Sequence, residues 1–226
     1  AAKIYDLPVN PCKKVKRMGN SDSRSLNFWT LDEYKQFIQT MEPGTRYYLM
    51  FEMLFWTGCR IGELLAITKA DINFEKNQLS INKTYYRTGM QDIITEPKTK
   101  QSFRTIEIPE FLKEEIKEFV DGHYGMPDTE RLFPVVQESV QHKMKRQIEL
   151  AGVKKIRVHD LRHSHVAYLI EKGVEPLLIR DRLGHKDIRI TLNTYGHLYP
   201  NQQRKIANLL DNENAVTGLG EERDEC

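Results

Sequence analysis

Residues 159–185 read HDLRHSHVAYLIEKGVEPLLIRDRLGH, two helical stretches separated by a glycine stop. The pattern predicts helices over 160–172 and 176–183, with Pro176 at a first helical position and Gly173 and Gly184 where a left-handed C-cap favours glycine. With a helix starting at Asp160, His159 and Arg162 lie three apart on one face, so an imidazole and a planar guanidinium address the same ligand. A phosphate suits that pair. The guanidinium offers two parallel N–H bonds to nonbridging oxygens, and the imidazole adds a third donor or a proton-transfer group. The same spacing also occurs on plain solvated helix faces. A zinc helix is the weaker alternative: His159 and His163 have the i, i+4 spacing, but Asp160 stands where that motif needs glutamate and no cysteine is near.

Downstream, Leu183-Gly184-His185 brings a second histidine just past a helix stop, and Thr194-Tyr195-Gly196-His197 places a tyrosine ten residues on. Upstream, Thr57-Gly58-Cys59-Arg60-Ile61-Gly62-Glu63-Leu64 puts an arginine after a glycine break, at the end of a helix (47–56) apolar on almost every side. An arginine leaving so apolar a stretch needs an anionic partner. Thr30 and Glu33 form a capping box that opens a helix running to about residue 41, and residues 60–67 continue as helix. Alternation and β-branched residues at 78–83, 92–95 and 103–108 predict a small three-stranded antiparallel sheet, followed by helices over 110–120, 140–151, 188–194 and 201–210. The expected class is α+β, mainly helical. Residues 1–27, with prolines and a Lys-Lys-Val-Lys-Arg run, have the composition of a basic linker with a domain ahead of it, and 211–226 form an acidic tail.

Of the 226 residues 39% are hydrophobic and 29% charged, a globular balance. No apolar run approaches the roughly 18 residues of a membrane span and the N-terminus lacks a secretory stretch, so a cytoplasmic protein is expected. Cys12, Cys59 and Cys226 are too far apart for a metal motif and read as free thiols. The formal net charge of +2 hides its distribution: the tail carries six acids and one base, and without it 33 bases face 26 acids. A body of +7 is compatible with a polyanionic partner.

Together these segments resemble the catalytic domain of the tyrosine recombinase, or phage integrase, family over residues 28–210. Residues 57–64 are similar to its first arginine box, His159–Arg162 to its H-x-x-R box, Leu183-Gly184-His185 to its second histidine and Tyr195 to its nucleophile, in family order. The resemblance implies a metal-independent, cofactor-free enzyme that cleaves and rejoins DNA strands at specific sites through a 3′-phosphotyrosine link, integrating or excising a mobile element or prophage. Its catalytic set maps to Arg60, Lys98, His159, Arg162, His185 and Tyr195, with Lys100 the alternative lysine in the same turn. On that assignment Lys98 is the acid for the leaving oxygen, His159 the base towards Tyr195, and His185 a donor to the phosphate. Glu63 either orients a catalytic side chain or makes a surface ion pair. The implied partners are double-stranded DNA attachment sites, further copies of the chain in a tetramer on DNA, and accessory DNA-bending or directionality proteins. The amphipathic helix at 201–210 would dock on its own domain or on a neighbour, and the resemblance implies the neighbour. Type IB topoisomerase-like relaxation and a non-catalytic helical DNA-binding regulator are the rival readings.

Overall fold

The computed structural model describes residues 27–96, 102–123, 125–199, 207–208 and 210–213. The proposed linker (except its last residue), Lys98 and Lys100, most of the predicted 201–210 helix and the tail beyond 213 lie outside them.

Eight helices carry the described fold. The Thr30 capping box forms, with the hydroxyl accepting from the Glu33 amide at 3.3 Å, and opens α1 (Leu31–Ile38). Helix α2 (Arg46–Thr57) is the central one, as its apolar sequence predicts: Leu49, Met50, Phe51, Met53, Leu54 and Phe55 are all buried. Tyr34 stacks on Phe55 at 3.7 Å. The buried Glu52 is accommodated because the Tyr34 hydroxyl (2.8 Å) and the Trp56 indole N–H (2.7 Å) both donate to it. Burying each of these large side chains contributes on the order of 2 kcal/mol. Helix α2 packs against α6 (Asp160–Glu171) and α4 (Glu110–Asp121), and α1 against α5 (Gln137–Ala151).

The expected three-stranded antiparallel sheet is present with one different member. Its order is β1 (Ile72–Asn73), β2 (Gln78–Ile81), β5 (Arg104–Glu107), with Leu79 opposite both Ile72 and Ile106. The 92–95 segment lies elsewhere: β4 (Gln91–Thr95) pairs with β3 (Thr84–Thr88) in a separate hairpin. Local turn chemistry decided this. Gly89, at φ +59°, occupies the first position of a two-residue turn that requires positive φ, so the chain folds back on the strand just before it.

Helix α2 ends at Gly58 in the left-handed region (φ +66°), and a Cβ there would lie 2.5 Å from His165 Cδ2, so glycine is required on both counts. The chain then emerges as Arg60 and starts the single-turn α3 (Ile61–Leu64). The last part of the domain, α7 (Pro176–Leu183) and α8 (Ile188–Tyr195), packs on α6 around a second small core of Val166, Ile170, Ile179, Leu183 and Tyr195. Tyr195 is thus a packed residue as well as a candidate nucleophile.

Candidate active site

Arg60, His159, Arg162, His185 and Tyr195 come from four separate places in the chain and meet where the ends of α2, α7 and α8 approach the start of α6. Arg162 is the hub. It is 3% exposed. Its Nη1 donates to the Gly58 carbonyl at 2.7 Å, and its Nη2 to the Leu183 carbonyl at 2.8 Å and towards His185 Nε2 at 3.1 Å. Burial, then the positive charge of Arg60, lowers the Arg162 pKa to about 9. A cation this poorly compensated by protein groups is primed for an anion.

His185 is fixed from both sides. Because Arg162 donates to Nε2, the neutral ring carries its proton on Nδ1, which lies 2.9 Å from the Thr191 hydroxyl. Burial and the charges of Arg162 and Arg60 push its pKa down to about 4. Neither nitrogen therefore offers a spare N–H in this state, and donation to a phosphate requires Nε2 to release the Arg162 contact and carry a proton, either in the other neutral tautomer with Nδ1 accepting from Thr191 or in a ring whose basicity the anion has raised.

Arg60 is 41% exposed and is steered by Glu63, which bonds its Nη1 and its backbone N–H, both at 2.8 Å. Glu63 is no surface partner. It is 6% exposed and also binds the buried Arg104 at 2.8 Å, so one carboxylate holds two guanidiniums. Burial opposes its ionisation, but the Arg104 hydrogen bonds and the charges of Arg104 and Arg60 prevail and hold it at about 2. A carboxylate depressed in this way stabilises the fold above its unfolded pKa near 4.5, and the stabilisation disappears as pH falls towards 2. Glu63→Gln should therefore cost about 3 kcal/mol at pH 7, read as a lower urea midpoint; an unchanged midpoint would contradict the depressed carboxyl.

Tyr195 is 2% exposed, and burial pushes its phenol up to about 12 against the pull of Arg162 and Arg60. Its hydroxyl lies 2.6 Å from Nδ1 of His163, not on His159 as expected. His159 stands edge-on to His163 with ring centroids 5.2 Å apart, its pKa lowered by burial and by Arg162. His165, the third histidine of that helix, turns away and accepts from Arg182 Nε at 3.1 Å. His159 and His163 thus meet edge to face while His165 faces Arg182. Among the described residues no group of three or more His, Cys, Asp or Glu is placed to hold a metal ion, and no helix is long and apolar enough to cross a membrane.

Two grooves flank the site. One of about 660 Å³ is lined by Arg104, Arg180, Arg182, His185 and Lys186 together with Glu107 and Asp181. The other, about 620 Å³, has an apolar floor of Ile61, Met144, Ile148, Ile156 and Val158 edged by Lys145, Lys155, Arg157 and His159, and contains no acid.

The sequence model of the phage integrase family matches residues 27–202. The chain belongs to that family. It is 32% identical to the ICEBs1 integrase of Bacillus subtilis, over 93% of this chain and 62% of that protein, and 28% identical to a XerC-like tyrosine recombinase of Caldanaerobacter subterraneus, over 91% and 60%. The chain thus spans about three fifths of the length of these curated relatives. Among solved structures, the Tn1549 transposon integrase with a circular intermediate DNA matches with a TM-score of 0.71 over 86% of this chain and 68% of that one, at 21% identity. XerA recombinase matches at 0.62 over 92% and 70%, at 22% identity. These structures share the integrase catalytic fold.

In this member of the integrase family several supporting residues carry little or no sequence signal. Arg104 had a signal: β5 alternates, so Arg104 shares the inward face of Ile106. Arg182 ties α7 to the Trp56 carbonyl (2.9 Å) and the Glu107 carbonyl (3.0 Å), contacts that only the tertiary fold creates. His163 sits four residues from His159, a spacing that offered only the weak zinc alternative.

Proposed function

We propose that the chain is the strand-transfer domain of a site-specific DNA recombinase acting in the cytoplasm on the attachment sites of a mobile element or prophage. The observation that carries this reading is a tyrosine hydroxyl held within the electrostatic reach of two guanidiniums, Arg162 and Arg60, beside a groove lined by Arg104, Arg180, Arg182 and Lys186. Tyr195 Oη attacks the scissile phosphorus, a 3′-phosphotyrosyl bond forms, and the 5′-oxygen leaves. The covalent link conserves the phosphodiester for rejoining to a new strand. Arg60 and Arg162 meet the charge that builds on the nonbridging oxygens, and His159 and His185 complete the cradle. Lys98, with Lys100 the alternative, protonates the leaving oxygen. The +7 body adds the sequence-independent attraction that any DNA-tracking surface needs. Tetrameric assembly on paired sites and accessory DNA-bending or directionality proteins belong to the same reading. Support comes from the relatives named integrase or recombinase and from the Tn1549 integrase, solved with DNA.

The test is a nicked suicide duplex cut from the DNA flanking the gene, incubated with the chain in EDTA. A protein–DNA band that survives boiling in detergent, with the nucleotide mapped to Tyr195, is the expected result. No band, a band on another residue, or relaxation of plasmids that lack the site would overturn it.

A further inference from the structure

The proton of Tyr195 has a dedicated acceptor in the structure, and the inference drawn from it rests on the strand-transfer reading above. Asp160 and His163 are one turn apart on α6, so their side chains share a face. Asp160 Oδ1 lies 4.0 Å from His163 Nε2, and His163 Nδ1 lies 2.6 Å from the Tyr195 hydroxyl. The chain carboxylate–imidazole–phenol is held at both ends. Asp160 is buried and accepts from the Arg157 backbone N–H at 2.9 Å and from its Nη2 at 2.8 Å. Tyr195 is fixed by the small core it forms with Val166 and Ile170 of the same helix α6. With the Tyr195 hydroxyl donating to Nδ1, the neutral ring carries its proton on Nε2, and Asp160, beyond hydrogen-bond distance at 4.0 Å, acts on that nitrogen through its charge. This is the nucleophile, base and orienting group arrangement of covalent catalysis.

We propose that His163 is the general base of the reaction, accepting the Tyr195 proton at Nδ1 while Asp160 steadies the resulting imidazolium at Nε2. As the Oη–phosphorus bond forms, the phenolic proton passes to Nδ1. As the phosphorus–O5′ bond breaks, its electron pair stays on O5′, which takes a proton from the lysine acid. In the rejoining half-reaction the incoming 5′-hydroxyl returns its proton to the lysine that gave one up on cleavage, and as the phosphorus–Oη bond breaks the tyrosine oxygen recovers the proton held on His163. His159 is left free to contact the phosphate.

The electrostatics give the base a condition. Burial and the neighbouring His159 hold His163 at about 4, and burial holds Tyr195 at about 12, so in the DNA-free protein the proton stays on the phenol. A phosphate anion beside Arg162 offsets one of the cationic charges that depress the imidazole and raises its basicity at the moment it is needed.

Single-turnover adduct formation on the suicide duplex described above tests this with His163→Ala, His163→Asn and Tyr195→Phe. An asparagine Oδ1 replaces Nδ1 as acceptor, so it can tether Tyr195, but it cannot carry the proton. Both His163 variants should be slower by roughly 10²- to 10⁴-fold while retaining the duplex in a gel-shift assay. Their residual rate should climb with pH as hydroxide replaces the base, and imidazole in the buffer should restore part of the His163→Ala rate. A duplex with a sulfur leaving group at the scissile bond, which needs no acid, should not rescue them. Wild-type speed in His163→Asn or His163→Ala, or rescue by the sulfur substrate, would overturn the assignment. An adduct in Tyr195→Phe, or none in the wild type, would instead defeat the strand-transfer reading. No adduct in Tyr195→Phe together with normal speed in His163→Ala defeats the base alone.

Discussion

Arg162→Ala should lose covalent adduct formation by at least about 10³-fold and also melt earlier, by roughly 6–12 °C. Both losses have the same origin. Two donors of this guanidinium bridge the carbonyls that end α2 and α7, at Gly58 and Leu183, and a further contact reaches His185. Truncation leaves both buried carbonyls without a donor, at about 1–3 kcal/mol each. For a domain of this size about 3 kcal/mol corresponds to the stated shift in melting temperature. The chemical loss is larger because the transition state places more negative charge on the nonbridging oxygens than the ground state does, and a preorganised donor there is worth about 10²–10³-fold by itself. Arg162→Lys should recover little of either, since one ammonium cannot span two carbonyls and a phosphate. A truncated protein with the wild-type melting point would show that the carbonyl bonds carry no weight. One with the wild-type rate would remove Arg162 from the phosphate.

What could be read ahead of the structure follows from how local each signal is. The helices announced themselves through period, capping and glycine stops: Thr30 and Glu33 cap α1, and Gly152 and Gly184 end α5 and α7 in the left-handed region. The small sheet was legible as a sheet, but which strands share it depends on a hairpin turn at Gly89 that competes with the longer-range pairing. Of the candidate site, Arg60, Arg162, His159, His185 and Tyr195 could be named from the sequence because their order and spacing resemble those of the integrase family. Their supports were not. Glu63 reads either as an orienting carboxylate or as a surface ion pair until β5 brings Arg104 beside it, at 41 residues' separation. His163 reads as one more histidine on a basic helix until α8 delivers Tyr195 to its Nδ1. Position in the fold, which no local pattern encodes, turned ordinary side chains into partners.

The same histidines should make the free domain acid-labile well above the range where carboxylates titrate. His163, His165 and His185 are held at about 4, 3 and 4 against an ordinary 6.5, in each case first by burial and then by neighbouring cationic groups, His159 for His163 and arginines for the others. A base whose folded pKa is depressed binds its proton more readily in the unfolded chain, so unfolding takes up protons below pH 6.5. Stability is then full above about pH 6.5 and falls as pH drops towards 4, by about 1.4 kcal/mol per unit for each ring. Three rings together cost about 4 kcal/mol at pH 5.5 and about 6 at pH 5, a large share of the 5–15 kcal/mol typical of a folded domain. The depressed Glu63 adds almost nothing between pH 7.5 and 5.5, because its contribution starts to fall only as pH drops through its unfolded value near 4.5. Urea midpoints at pH 7.5 and pH 5.5 check the prediction, and His163→Asn should remove about one third of the pH dependence while leaving the sign unchanged. Bound DNA should blunt it further, since a phosphate stabilises the charged forms of His163 and His185 but does not reach His165, whose ring faces Arg182. A midpoint that stays flat between the two pH values would mean that these rings are already solvated in the free protein, and with that the argument for neutral histidines around Tyr195 would fall.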